Sequence, residues 1–254
     1  MLADVKFPSI EEIVVWPNWF GHGVFGFNKI AFISFLAFLI PVVLFLVAGA
    51  KYKKRMVPAG VQTIAESTVD FVEKQVIMPT IGAGGMTYLP LLISMFVFIF
   101  ICNIFEVIPT SHMPANARMA NPLILAVISW LVFIGVGIKH NGLKYFWRAV
   151  APPGVPKALL LLVVPIEFVS TFLVRPFSLA VRLFANMLAG HILLVTFSVL
   201  TITLFTASFL IVVWPFSFFM LVAFTGFEVM VAFLQAYIFT LLTAVYIGGA
   251  VHLH

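Results

Sequence analysis

The sequence predicts an all-α polytopic membrane protein with about five membrane-embedded helices and one amphipathic interfacial helix. Three observations carry this. Of 254 residues, 63% are hydrophobic and only 9% charged, against about 25% charge in soluble domains. The apolar residues come in runs long enough to cross a bilayer, which takes about 20 residues. The charges gather in short basic clusters between the runs, where they set orientation. The net charge of +5 therefore reads as topology, and nucleic acid is not an expected partner.

Residues 1–29 carry Asp4, Lys6, Glu11 and Glu12. They lack the basic, short-apolar, small-residue pattern of a signal peptide and read as an exposed segment outside the membrane. Residues 30–50 form the first span, with Pro41 tolerated inside it. The cluster Lys51-Tyr52-Lys53-Lys54-Arg55 marks the cytoplasmic side by the positive-inside rule.

The segment 51–87 holds the interfacial helix, expected over 60–78. Val61, Ile64, Ala65, Val69, Val72, Val76 and Ile77 recur at helical spacing, and Gln62, Glu66, Asp70, Glu73 and Lys74 take the other face. Pro79 and the glycines at 82, 84 and 85 are expected to end it. Residues 88–138 supply two spans, 88–108 and 122–138, joined by an outside loop at 109–121. The connector 139–157 has Lys139, His140, Lys144 and Arg148, placing it on the cytoplasmic side in agreement with the first basic cluster. Pro152, Pro153 and Pro156 stiffen it.

Residues 158–254 are apolar almost throughout, interrupted by Glu167, Arg175, Arg182 and Glu228. At 1.5 Å per residue, the runs 158–190 and 192–250 each exceed the roughly 30 Å hydrocarbon core. Two long, strongly tilted helices forming a hairpin would use that length, and four ordinary spans would also fit. Cys102 is alone, so no disulfide framework exists.

Arg182 is the residue that asks for a function. A guanidinium stays charged at biological pH, and at membrane depth it costs about 2.5–3.5 kcal/mol on insertion scales. Such a residue marks an ion pathway. Arg175, Ser178, Arg182, Asn186 and Ala189 follow steps of 3, 4, 4 and 3, one helical face with small members that admit a second helix. His191, nine residues beyond Arg182, points roughly the other way. Near the C-terminus, Glu228, Gln235, Phe239 and Tyr246 are spaced 7, 4 and 7, a polar seam on an otherwise greasy helix. If that seam packs on the Arg182 face, Gln235 can orient the guanidinium, and Glu228 with His191 makes a titratable couple. Other uses stay open: Arg175 snorkelling to an interface, Gln235 and Tyr246 joining helices, and a static His191–Glu228 pair. Asn103 and Glu106 at a span end, and Glu167 beside Pro165, fit a solvated interface as well as a channel lining.

The run Arg182-Leu183-Phe184-Ala185-Asn186-Met187-Leu188-Ala189-Gly190-His191 resembles the signature of subunit a of F-type ATP synthases. Leu234-Gln235-Ala236-Tyr237-Ile238-Phe239, followed by Tyr246, is similar to its second signature, and Asn103…Glu106…Pro109 extends the likeness. The resemblance implies that Arg182 is the stator arginine, Asn186 its neighbour and Gln235 the glutamine near it. It implies that His191 and Glu228 are half-channel positions. In the best-known bacterial pattern the acid comes first and the histidine second; here the order is His191 then Glu228, as in the mitochondrial arrangement. The implied partners are a ring of c subunits, b-type peripheral stalk subunits and membrane lipid.

The implied function is an ion-translocating stator with two aqueous half-channels that load and unload protons on the ring carboxylates. The implied place is a bacterial plasma membrane, with the C-terminus cytoplasmic. No phosphate-binding Gly-rich loop is present, so ATP chemistry belongs to other subunits and no cofactor is expected. A stand-alone secondary proton or cation transporter is the competing class; it predicts internal repeats around a substrate site, and none is evident. A membrane metalloenzyme would need closely spaced ligands, whereas the six histidines are scattered.

Overall fold

The computed structural model describes residues 28–52, 60–108, 115–142, 144–151, 157–206 and 210–251. The acidic and basic residues of the N-terminal segment, Lys53–Arg55, residues 109–114 of the expected outside loop and Pro152, Pro153 and Pro156 lie outside the described residues. Those described are helical with short turns, and five helices are long and apolar enough to cross a membrane.

Helix α1 (Lys29–Tyr52) carries Pro41 within it. Asn28 Oδ1 accepts from the Ala31 N–H at 3.0 Å, satisfying one of the amides that every helix start leaves unpaired. Helix α2 (Val61–Val72) continues through a π turn (Glu73–Ile77) into Met78–Thr80. Its polar face includes Asp70, which accepts from Lys74 Nζ at 2.6 Å; this exposed hydrogen bond raises the Lys74 pKa. Ile64 is exposed and Gln62 is buried, so the buried face is rotated from the one that spacing suggests. A helix flanked by lipid on one side and protein on the other need not bury its most apolar stripe in protein.

Pro79 does not end this helix. The chain passes through it and turns only at Gly82, whose φ of 79° suits glycine. The π turn lies just upstream of Pro79, and the same arrangement recurs where the π turn Ser170–Val174 precedes Pro176. Proline lacks an N–H and crowds the carbonyl four residues back. A widened turn relieves that crowding without breaking the rod.

Helix α3 (Leu89–Ile104) follows a 3₁₀ turn (Ala83–Tyr88), and α4 (Ala120–Asn141) follows the 3₁₀ turn Ala115–Ala117. A short helix α5 (Lys144–Val150) leads towards α6 (Lys157–Val169). Helix α6 runs through its π turn into α7 (Arg175–Thr206), and α8 (Trp214–Val251) returns. Two long helices, not four spans, therefore fill the last hundred residues. The helical run does not break at His191. Leu159–Phe205 has 47 residues, about 70 Å at helical rise and more than twice the hydrocarbon thickness. Such a rod fits a bilayer only if steeply tilted, bent or extended beyond it.

The main core is shared by α3, α4, α7 and α8, with Val72, Val76 and Ile77 inserted from the α2 segment. Helix α1 is peripheral, packing on α2 and α3 and burying Ile30, Ile33 and Ala37 against Cys102 and Ala115. Polar ties fix the helices: Ser129 Oγ donates to Thr243 Oγ1 at 3.0 Å between α4 and α8. Asn121 Nδ2 donates to Ser34 Oγ at 2.8 Å between α4 and α1. Gly248 lets α8 approach the Thr80 carbonyl with no side chain between them.

Candidate ion-pathway site

Helix α7 presents two chemically opposite faces. Arg182, Asn186 and Ala189 are exposed, while Leu183 and Met187 are completely buried. The regular α-helix from Arg175 onward produces this pattern, since steps of three and four residues keep a stripe on one side. Ser178 and Arg175 continue it half-buried.

On the far face, His191 is buried and its Nδ1 lies 3.7 Å from Oε1 of Glu106. Glu106 arrives from the turn after α3 and is 1% exposed. The turn is held by amide bonds from Glu106 to the Asn103 carbonyl and from Val107 to that of Ile104, both at 3.1 Å. Glu228 of α8 places its carboxyl directly against Gly190, the residue before His191. It is close enough to Glu106 for the two carboxyls to interact electrostatically. Two acids and a histidine thus converge from α3, α7 and α8. Glu106 Oε1 and Glu228 Oε2 are buried without a hydrogen-bond partner.

A cavity of about 260 Å³ opens from this cluster, lined by Glu106, His191, Ser198 and Thr225 among apolar side chains of α7 and α8. One turn before Glu106, Asn103 Oδ1 accepts from Asn116 Nδ2 at 2.7 Å, and both amides are fully buried. Their remaining polar atoms, Asn103 Nδ2 and Asn116 Oδ1, have no partner. Nearer the hairpin end, Thr201 and Ser217 join α7 to α8 by a buried hydrogen bond of 2.8 Å.

Helices α7 and α8 run antiparallel, and their contacts define a register. Arg175 stands over the Tyr246 ring at 5.2 Å, and the Phe197 and Phe224 centroids are 4.8 Å apart. Each step forward on α7 is matched by a step back on α8. Gln235, eleven residues before Tyr246, is therefore level with Asn186, eleven residues after Arg175. Gln235 is buried, and among the described residues no hydrogen bond joins it to Arg182. The seam on α8 meets Arg175 through Tyr246, and Gln235 stands one helical turn from the level of Arg182. Glu167 is half-buried on α6, on a different helix from the members of the cluster.

The match to known proteins decides between a stator and a self-contained transporter. Residues 31–248 match the model of the ATP synthase A chain family. The chain belongs to that family. A protein named ATP synthase subunit a from Frankia alni is 40% identical, covering 98% of this chain and 88% of the relative. One of the same name from Rhodococcus erythropolis is 42% identical over 96% and 90%. Another from Streptomyces lividans is 37% identical over 97% and 88%.

As an ATP synthase A chain, this is a multi-pass membrane protein and the proton-translocating stator subunit of an F-type ATP synthase. Sequence reasoning left Glu106 open between a solvated interface and a channel lining, and did not single out Asn116, Thr201, Ser217 or Gly190. The missing signal for Gly190 was available: a glycine beside a buried histidine marks a place where another group must come close. The pairing of Asn116 with Asn103 has no periodic signature, because a turn brings it back onto the span. Among the described residues, no three His, Cys, Asp or Glu side chains are arranged to hold a metal ion.

Proposed function

We propose that this chain forms two aqueous half-channels that load and unload protons on the carboxylates of a c-subunit ring, with Arg182 as the barrier between them. The observation that carries this reading is the division of α7 into an exposed Arg182–Asn186–Ala189 face and a buried Glu106–His191–Glu228 cluster on the other side.

An exposed guanidinium within a 47-residue apolar helix is costly against lipid, and a ring carboxylate would offset that cost. Its permanent charge favours the deprotonated carboxylate as it passes and repels a proton crossing directly. Ala189 and Asn186 keep the face slim enough for a rotor helix to approach. The opposite cluster supplies proton carriers. Unpartnered polar atoms beside a cavity are groups that water would bridge, and two acids with a histidine can pass a proton along such a chain. Ser198 and Thr225 extend the polar lining, and Asn103 of the buried Asn103–Asn116 pair lies one turn before Glu106 in the chain. Gln235 lies beside the crossing point, level with Asn186. Each charge crossing the full potential releases about 2.3 kcal/mol per 100 mV, transmitted by rotation to a soluble head.

The subunit itself is non-catalytic. Its partners are the c ring, b-type peripheral stalk subunits and lipid, in a bacterial plasma membrane with the N-terminus outside and the C-terminus cytoplasmic. In inverted vesicles, Arg182→Ala abolishes ATP-driven proton pumping; pumping at the native rate would overturn the reading. A cysteine at Ala189 or Asn186 forms a cross-link to a c subunit, and capture of only lipid or of the stalk would remove the ring from this face.

A further inference from the structure

Arg175 is a second cation on the face of α7 that carries Arg182, two helical turns earlier, or about 10 Å along the axis. It does not extend freely. Its guanidinium stands 5.2 Å from the centre of the Tyr246 ring on α8, a distance at which the ring quadrupole attracts a cation. Tyr246 is itself held from behind by Phe133 of α4, with ring centres 5.8 Å apart. Tyr145 of α5, whose ring occupies the notch at Gly137, is within electrostatic reach of Arg175. Tyr246 and Tyr145 are the titratable groups placed against it from the packed elements. No carboxylate neutralises Arg175 among the described residues; the salt bridges there are Lys74–Asp70 and His191–Glu106. A charge used only for snorkelling needs no aromatic clamp across two helices.

We propose that Arg175, positioned by Tyr246, is a fixed positive charge of the cytoplasmic half-channel that lowers the local proton activity there. This rests on the half-channel reading above and on a cytoplasmic connector before α6. Removing a proton from the rotor towards the cytoplasm is then favoured, and taking one up from that side is opposed. At an effective dielectric constant near 20, one charge about 10 Å away alters local proton activity roughly tenfold. Tyr246 acts as a positioning residue through its ring, not through its hydroxyl.

The test is ATP-driven proton pumping by the whole complex in inverted vesicles, with the external (cytoplasmic-face) pH varied. Arg175→Gln shifts the pH of half-maximal pumping upward by about one unit, a tenfold change in proton activity, because protons are no longer repelled at the point of uptake. Arg175→Lys and Tyr246→Phe keep the native midpoint, since charge and ring survive in turn. Tyr246→Leu shifts it upward by less than Arg175→Gln. A midpoint unmoved in Arg175→Gln, with the rate lowered equally at every pH, assigns Arg175 to packing alone and overturns the proposal. Should Arg175→Gln fail to assemble, Tyr246→Leu decides by the same midpoint. Normal pumping by Arg182→Ala would instead sink the half-channel reading, so the two failures are distinguishable.

Discussion

The carboxyl of Glu228 rests on the bare Cα of Gly190, so closely that any Cβ at residue 190 would overlap its carboxyl atoms. The glycine's conformational freedom is irrelevant here, because it sits inside a regular helix; its missing side chain is what matters. Helix-interior glycine costs about 1 kcal/mol relative to alanine, and here that cost admits an acid beside His191. Gly190→Ala is therefore expected to displace Glu228 while raising intrinsic helix propensity. A misplacement near 1 Å can cost about 100-fold in rate, and ATP-driven pumping in vesicles should fall to that order. Shortening the acid with Glu228→Asp in the same background should restore part of it. Native pumping by the single variant would mean that the Glu228 position is not functional.

Glu106 closes the cluster from α3, and its contact with His191 predicts a three-residue unit rather than a pair. Glu106→Gln preserves volume but removes a proton carrier, and general acid–base groups contribute about 10²–10⁴-fold where they act. Proton pumping should fall by at least the lower figure, with Glu106→Asp intermediate. Exchanging His191 and Glu228 for each other should retain more activity than either single change, since the couple keeps its members. Pumping rates of these variants against native, at equal complex abundance, check both statements.

The contrast between what spacing predicted and what the fold delivered has a physical pattern. The exposed stripe through Arg182 and the opposed His191 were legible because both follow from 3.6 residues per turn on one helix. The two long helices were expected from the length of the runs 158–190 and 192–250, but apolar runs carry no internal punctuation, so their joints were not: α7 continues past His191 to Thr206. The prolines misled at Pro79, where a π turn absorbs the break. Gln235 was tied to Arg182 only on condition that the two stripes pack together, and the level at which it meets α7 depends on contacts such as Phe197–Phe224 that no single-helix periodicity contains. Glu106 and Asn116 reach the site through turns, where sequence spacing says least about direction.

Gly137 offers a structural counterpart to Gly190. The Tyr145 ring occupies the space where a Cβ would stand, locking α5 against the end of α4, and Tyr145 is almost fully buried. Gly137→Ala forces that ring out, and overpacking of this kind costs about 1–3 kcal/mol. The detergent-solubilised complex should release or unfold this subunit at lower temperature. Tyr145→Leu in the same background should recover part of the loss. An unchanged melting temperature for the single variant would show that α5 yields without cost.

Thr201 and Ser217 join α7 to α8 near the end of the hairpin, both nearly inaccessible and bonded at 2.8 Å. Thr201 Oγ1 also donates to the Phe197 carbonyl one turn back. Its proton is thus committed to its own helix, and Ser217 must be the donor across the interface. Hydrogen bonds between helices in membranes average only about 0.6 kcal/mol, because the separated helices find other partners. A double-mutant cycle with Thr201→Val and Ser217→Ala should therefore give a coupling of about 0.5–1 kcal/mol in unfolding of the solubilised complex. The donor assignment makes the cycle asymmetric. Ser217→Ala leaves Thr201 bonded within α7, whereas Thr201→Val strands the Ser217 hydroxyl and should be the more costly single change. The reverse order would place the donor on α7.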